Sequence, residues 1–563
     1  MEYLVTICMS CGGILFILPT IKHIQITTPW LARRVNLSHI MSSPGQPVLA
    51  SYRQFRFILG SSMISSFTLH PQAMSSFAAW RMLNAAVDFT TSSMKSMAHR
   101  RLLTCSASSS RLVLHPPDLV QWVHREGGFV HPKLRIANQG SDGLGVSSLS
   151  EIPAGADLIT LPSHIPLRFQ RSDEPDERDS ALAQLSGKIP GVNTLWGACD
   201  RGTLDNAIGA EERATVNSFW WPYISNLPET YSVPIFFSGE DMKNLQYIPL
   251  VYQVNKRCCF LLEFEKEVKT ILETVETKHH PFGGQDVNAS SLGWAMSAVS
   301  SRAFCLHGEV LSNGQKRDIH MLLPFIDMCN HSFQPNAKIV QEQEKGSSKM
   351  SVKVVAETQI AQNSPILLNY GCLSNDLFLL DYGFVIPSNP FDHVELKYDG
   401  ILLDAAGIAA GLSSPSFSSP TQWQQEILCQ LNLLGDGAIT KVNLGGSGVI
   451  DGRLLAALRV LLASNKEIVQ NLDLDTLMTL SEKAPLGISI EISALRIIIA
   501  LCVVALEHFP TKIMQDESIL KGNISTSMQL AVQFRMQKKL VIIDVMRKLS
   551  HRIKILSKEK SAA

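Results

Sequence analysis

The hydrophobic pattern of this chain changes period as it runs, and each change separates stretches that must pack differently. Gly143-Leu-Gly-Val-Ser-Ser-Leu and Ile152-Pro-Ala-Gly-Ala-Asp-Leu-Ile-Thr-Leu-Pro alternate strand-like runs with Gly and Pro turns, which predicts a small β-hairpin region. Just ahead of it, Asp118-Leu-Val-Gln-Trp-Val-His reads as a short capped amphipathic helix, so order is expected to begin near Pro117. From Ser180 to Val275 the pattern turns helical with Trp-rich loops (Phe219-Trp-Trp-Pro-Tyr), and a polar Lys278-His-His-Pro-Phe-Gly-Gly linker follows. Strand periodicity returns between Leu322 and Val394, broken by a charged hairpin tip at Glu342–Lys349. Beyond Ser413-Ser-Pro-Ser-Phe-Ser-Ser-Pro, read as a linker, the pattern stays helical. The expected fold is therefore α+β, with a helical insert inside a β-rich half and a helical lobe after it.

Two helical stretches invite special readings. The apolar run Ile497–Leu506 is bounded by Arg496 and Glu507 and falls short of the roughly 20 residues that span a bilayer, so Ile492–Leu506 is read as a buried core helix with no stable membrane insertion. Phe534–Ile555 carries Arg535, Lys538, Lys539, Arg547, Lys548, Arg552 and Lys554 beside apolar residues at helical spacing. A solvated basic face is the plainer expectation there, and a docking site for an acidic partner the sharper one.

At 563 residues the chain exceeds one ordinary core, and 45% hydrophobic with 18% charged residues suits a folded protein. Lys+Arg and Asp+Glu both number 50, which gives no reason to expect nucleic acid as the main partner. The 11 cysteines are scattered, with only Cys8 and Cys11 at CxxC spacing, in an apolar stretch, and Cys258 and Cys259 adjacent, so neither a disulfide framework nor a metal site is expected. Residues 1–110 contain two acids, Glu2 and Asp88, with abundant Ser, Thr and Met and recurring Arg and Lys, a bias typical of organelle-targeting segments. The apolar Tyr3–Ile21 at its start resembles a signal anchor instead. Either that anchor is real, or translation begins at Met41, Met74 or Met94, which the Ser-rich, acid-poor region that follows favours. Chloroplast is the expected destination, with cytoplasm or nucleus as the alternative.

Four segments carry candidate chemistry. Asp142-Gly-Leu-Gly is a flexible turn through which backbone groups can approach a ligand, although such turns are common. Trp294-Ala-Met-Ser-Ala-Val-Ser-Ser-Arg is a helix with Arg302 at its end, where a cation ordinarily caps or faces water. Phe325-Ile-Asp-Met-Cys-Asn-His-Ser puts an acid, an amide, an imidazole and a hydroxyl within six residues, directly after an apolar run that should be buried. Buried polar groups need partners, and a polar ligand and the loop's own backbone are both candidates. Leu367-Leu-Asn-Tyr-Gly brings a strand to Tyr370, followed by Ser374-Asn and Asp381-Tyr-Gly-Phe-Val.

In this order, Asp-Gly-Leu-Gly (142–145), Trp294 with Ser301-Arg302, Asp-Met-Cys-Asn-His-Ser (327–332), Tyr370-Gly371 with Ser374-Asn375, and Tyr382-Gly-Phe-Val resemble the SET-domain protein methyltransferases. The likeness is to the branch of the plant Rubisco large-subunit lysine methyltransferase, and it extends to Trp221-Pro-Tyr-Ile and Leu227-Pro. The resemblance implies a SET domain over 115–393 with a helical insert near 175–290, then a helical substrate-binding lobe over 394–555. It implies S-adenosylmethionine as cofactor, with no metal, held by Asp142, Gly143, Leu144, Gly145, Arg302, Asn330, His331 and Phe384. Arg302 would face its carboxylate, Phe384 would flank its adenine, and the Asn330–Ser332 strand would cross under the Tyr370 segment. Tyr370 would be the catalytic residue, and Ser301, Asp327, Tyr370 and Tyr382 would meet the substrate. The closest relatives usually have Glu where Asp142 stands, a mild change for a backbone contact. The implied activity is lysine methylation of a soluble plastid protein such as Rubisco or aldolase. Histidine methylation on the same scaffold and a non-catalytic binding subunit remain alternatives.

Overall fold

The computed structural model describes residues 115–140, 143–168, 219–273, 287–310, 316–413 and 415–562. The targeting segment, the part of the helical insert before 219, the Lys278–Gly284 linker and Asp142 lie outside these residues.

Asp118 opens the described fold by capping helix α1 (Leu119–Arg125), its carboxylate accepting from Val120 and Gln121 N–H groups at 2.9 and 3.1 Å. Strands form in the stretches read as strand-like and also outside them, within 129–138 and 303–322. β1 (Phe129–Val130), β2 (Leu134–Asn138), β3 (Leu144–Ser148), β4 (Asp157–Leu161) and β5 (Leu167–Arg168) precede the insert. The insert contributes α2 (Trp221–Ile224), α3 (Gly239–Asn244), α4 (Ile248–Leu272) and α5 (Ala289–Arg302). β6 (Ala303–Val310), β7 (Lys316–Leu322), β8 (Asn330–His331), β9 (Ala337–Gln343), β10 (Met350–Ala356) and β11 (Leu367–Leu368) follow. Three antiparallel sheets result, ordered β1-β4-β10-β9, β5-β7-β6 and β2-β3. β10 shows the cause plainly: Met350, Val352, Val354 and Ala356 point inward, alternating with Ser351, Lys353 and Val355. The charged tip is the turn between β9 and β10.

The segment after β10 positions the site. Ile360 and Ile152 exchange backbone hydrogen bonds at 2.9 and 3.0 Å, and Ile366 N–H donates to Val146 at 2.8 Å. Residues 360–366 thus run along the β3 region and deliver β11 beside β8, with which it pairs in parallel.

The chain separates into two compact units, the smaller including Asp399–Thr421 and Arg496–Ala500 among the described residues. In the smaller unit, Asp399 caps a helix over Gly400–Ala409. The expected Ser/Pro linker is instead folded back on that helix: Asp404 accepts from the Phe417 and Ser418 N–H groups at 2.5 and 3.2 Å. In the larger unit the C-terminal lobe is mostly helical, with a correction. His393–Lys397 (β12) pairs antiparallel with Lys441–Gly445 (β13), a short ladder inside what was expected to be all helix. Val442 and Leu444 are buried, so packing rather than local propensity sets this strand.

The apolar stretch forms a 20-residue helix, Ile488–Glu507, long and apolar enough by length and composition to cross a membrane. The run Ile497–Leu506 understated it, so length alone does not identify a core helix. Burial does speak to it: Leu495 and Cys502 are buried, and Glu491 meets Arg459 in a bidentate pair at 2.7 and 2.8 Å with both side chains at 0–1% exposure.

The basic helix runs over Thr526–Ala562 (α6) and overturns the expectation of a uniformly solvated face. Arg535, Lys538 and Lys539 are 0%, 0% and 2% exposed, each against carboxylates of this same chain. Lys539 donates to Asp516 at 2.6 Å, Arg535 to Asp516 at 2.9 Å, and Lys538 to Asp392 at 2.7 Å. A buried cation requires such a partner, so these three belong to the fold, while Arg547 and Lys548 stay exposed with Asp544.

Candidate active site

The Asn-His and Tyr-Gly segments meet. Asn330 lies opposite Leu367 and His331 opposite Leu368 in the parallel β8–β11 pair, and the Ser332 N–H donates to Leu368 at 2.9 Å. Asn336 extends the lacing, its amide donating to the Pro365 carbonyl at 2.9 Å and accepting from Leu367 N–H at 2.8 Å. Two-residue strands have little ladder of their own, so these side-chain bonds hold the crossing.

Tyr370 leaves β11 with its backbone N–H on His331 Nδ1 at 3.1 Å and its hydroxyl donating to the Cys329 carbonyl at 2.6 Å. His331 Nδ1 is therefore an acceptor, so the neutral ring carries its proton on Nε2. That Nε2 is buried without a partner. Burial holds the imidazole below its ordinary pKa, against the opposing pull of the Leu368 carbonyl. The ring sits 5.2 Å from that of Tyr370 and 4.9 Å from that of Phe378. Tyr382 stacks on Tyr370 at 5.2 Å, and Phe384 stacks on Phe378 at 5.1 Å. Burial raises the Tyr370 phenol well above its usual range, with the Arg302 charge opposing, and burial beside Asp381 pushes Tyr382 up to about 12. Both stay protonated near neutral pH.

Phe325 starts the polar loop at φ +70° while fully buried, a strained conformation for a side chain with a Cβ. The turn after it aims Asp327 inward. Its Oδ2 accepts from Tyr223 OH at 2.5 Å and from Arg302 Nη1 at 3.2 Å, and Arg302 Nη1 also reaches the Asp327 carbonyl at 3.0 Å. Burial raises the carboxyl pKa, and Arg302 and Tyr223 pull it back. Burial alone would lower the Arg302 pKa, but Asp327 and the nearby phenols hold it above its ordinary value. Asp327 Oδ1 and Arg302 Nε remain buried and without partners.

The glycine turn closes the other side. Gly143 has φ +73° with open space beyond its Cα, a conformation and an opening suited to glycine. A Cβ on Gly145 would lie 2.5 Å from the Gln139 amide and 2.7 Å from Asn330 Nδ2. Asn330 Nδ2 donates to Gln139 Oε1 at 2.7 Å, and Gln139 Nε2 donates to the Val146 carbonyl and Ser147 Oγ, both at 3.1 Å. Leu144 is exposed on β3.

Of the residues expected here, Asn330, His331, Tyr370, Tyr382 and Phe384 share the crossing, Gly145 joins it through Asn330, and Arg302 with Asp327 forms its charged end. Ser301 is not drawn in, since its hydroxyl donates to Ser297 in its own helix at 2.7 Å. Arg302, expected to face a ligand carboxylate, has Nη1 engaged by Asp327 and Nε left without a partner. Two residues were missed. Tyr223 falls within Trp221-Pro-Tyr-Ile, where its pairing with Asp327, 104 positions away, leaves no local trace. Gln139 stands in a polar turn with nothing to mark it.

The unpartnered His331 donor, Arg302 donor and Asp327 acceptor, beside an open glycine turn and stacked aromatic rings, suit a ligand with an aromatic base and a charged polar tail. Residues 143–371 match the SET domain family, and residues 415–542 match the Rubisco LSMT substrate-binding family. The chain belongs to the SET-domain methyltransferases. An actin-histidine N-methyltransferase from Callithrix jacchus is 23% identical over 442 residues, 76% of this chain and 67% of that protein. The SET domain of LSMT bound to lysine and AdoHcy superposes with a TM-score of 0.52 at 18% identity, covering 78% of this chain and 92% of that one. Rubisco LSMT bound to AdoMet gives 0.50 at 17% identity, over 78% and 93%. At these identities the solved structures establish the SET fold, within which the Asn330–Tyr370 crossing of this methyltransferase lies.

Proposed function

We propose that this SET-domain methyltransferase methylates a lysine side-chain nitrogen of another protein. Residues 115–393 would form the catalytic domain and 394–555 the lobe that receives the substrate. The cofactor is S-adenosylmethionine, which when bound supplies a methyl group activated on a sulfonium. Asn330, His331 and the 143–145 backbone would hold it, with Arg302 Nε toward its carboxylate and Phe384 beside its base.

The observation that carries the lysine reading is the buried Asp327 Oδ1, left without a donor beside Arg302 and Tyr370. Such a carboxylate oxygen suits an N–H-rich cation. The Tyr370 phenol cannot serve as a phenolate base, because burial keeps its proton in place. Its O–H is fixed on Cys329, so its lone pair accepts from the amine and orients the nitrogen. Desolvation and the positive charge of the bound cofactor would lower the ammonium pKa against the pull of Asp327 and let the proton leave to water, and Tyr370 would hold the neutral nitrogen toward the methyl group that the cofactor supplies. Tyr370→Phe should keep cofactor binding and lose about 100-fold or more in turnover, the usual scale for one positioned hydroxyl. Titration calorimetry and labelled-methyl transfer from the full chain separate the two, and full activity in that variant would remove the mechanism.

Histidine methylation is the second reading, favoured by the actin-histidine N-methyltransferase relatives. Mass spectrometry of the labelled residue decides between them. The acid-poor first 110 residues support a plastid location and a soluble plastid substrate. A fluorescent fusion of residues 1–115 that stays in the cytosol or enters the secretory route would remove that part.

A further inference from the structure

The buried cations of α6 do more than fill the C-terminal lobe, because one of them closes on the loop that carries the site's aromatic wall. Lys538 is 0% exposed and donates to Asp376, to Asp392 Oδ1 at 2.7 Å and to the His393 carbonyl at 2.7 Å. It also lies 5.3 Å above the Tyr247 ring and 5.1 Å above the Phe534 ring, so every face of the ammonium is met. Asp392 in turn receives the Asn375 backbone N–H at 3.1 Å and its side-chain N–H at 2.9 Å. Asn375 is 0% exposed, donates to the Ile386 carbonyl at 3.0 Å and accepts the Ile386 N–H at 2.9 Å. Those two bonds cinch the loop 375–386 at its neck. Phe378, which packs on His331, Tyr382, which stacks on Tyr370, and Phe384, which packs behind both on Phe378 and Tyr382, all lie inside it. The neighbouring residue on α6 takes a second grip: Gln537 Oε1 accepts the Ser388 N–H at 3.0 Å.

We propose that Lys538 is a positioning residue for methyl transfer. It fixes Asp376 and Asp392, and through Asn375 it holds Phe378, Tyr382 and Phe384 against the Asn330–Tyr370 crossing. The proposal rests on the reading that this crossing holds the cofactor. The lobe that follows the SET domain thereby takes part in shaping the cofactor site from behind, whatever it contributes to receiving a protein substrate. Removing the cation leaves Asp392 buried without its counter-charge beside the partly exposed Asp376, and the two carboxylates then repel each other, so the loop opens before the sheets do.

The test compares the full-length wild type with Lys538→Met, Gln537→Ala and Glu491→Gln. The last breaks the buried Arg459 pair of the same lobe, which has no contact with the loop, and so reports plain destabilisation. S-adenosylmethionine affinity is read by titration calorimetry, and hydrogen exchange is followed in a peptide covering Asn375–Asp392. Lys538→Met should weaken cofactor binding about tenfold or more and speed exchange at Ile386, a loss on the scale of long-range coupling changes. Gln537→Ala should do the same more weakly, and it keeps the test valid if Lys538→Met does not fold. Glu491→Gln should leave both readings near wild type at a temperature where it is folded. Unchanged affinity and exchange in Lys538→Met, or in Gln537→Ala where Lys538→Met does not fold, would overturn the proposal. So would equal losses in Glu491→Gln. A wild type that binds no S-adenosylmethionine would instead sink the functional reading on which it rests.

Discussion

Replacing Tyr223 with Phe removes a single oxygen from a residue that is 1% exposed, and it leaves the shape of the site intact. The oxygen donates to Asp327 Oδ2 at 2.5 Å, so the change deletes one charge-assisted hydrogen bond and leaves Arg302 as the main partner of that carboxylate. Bonds of this class contribute about 1.5–3 kcal/mol. The phenol is one of the groups that restrain the burial-driven rise of the Asp327 pKa, so its loss lets that pKa climb further above 3.8. A carboxyl with a raised native pKa binds its proton more tightly folded than unfolded. Its protonated form is accommodated below the unfolded pKa, and stability is lost as pH rises toward the native pKa. Tyr223→Phe should therefore cost more near pH 7.5 than near pH 5, with a deficit of about 2 kcal/mol at the higher pH. Urea unfolding of wild type and variant at both pH values measures it. Equal stability at both, or a larger loss at the lower pH, would refute the Tyr223–Asp327–Arg302 arrangement.

Gly145→Ala should displace the Gln139 amide, whose three hydrogen bonds contribute about 1 kcal/mol each, and weaken cofactor binding; calorimetry showing unchanged affinity would contradict the close approach. His331 must be neutral for Nδ1 to accept the Tyr370 N–H. Burial depresses its folded pKa, so the unfolded or open form protonates first, and stability of the crossing should fall as pH drops through 6.5 and below. Cofactor affinity that is flat or rising across that range would count against it. Glu491→Gln should destabilise the lobe by about 3 kcal/mol, because Arg459 is left buried with its charge unmatched; a melting curve like that of wild type would exclude this.

Much of the site was legible because its signals are local. Asp118 announces its helix through a cap, β10 through strict alternation, and the Asn-His loop through polar groups after an apolar run, whereas Tyr370 is singled out only by the resemblance to the SET-domain family. What stayed hidden is pairing between residues far apart in the chain. Nothing around Tyr223 marks a carboxylate 104 positions later, and nothing around Lys538 marks Asp392, 146 positions earlier. A basic residue destined for a buried ion pair looks the same in sequence as one facing water. The short β12–β13 ladder escaped for a related reason, since burial of Val442 and Leu444 makes it a strand inside a helical neighbourhood.

The grip of α6 on the loop after Tyr370 also sets an order of events during synthesis. Asp376 leaves the ribosome 162 residues before Lys538, so a nascent chain exposes the crossing and its aromatic loop long before the cation that locks them has been made. Until then, two carboxylates sit at the base of that loop with nothing to neutralise them. On the proposed role of Lys538, methyl-donor binding would belong to the finished polypeptide, and a half-made chain would hold the parts of the pocket without its latch.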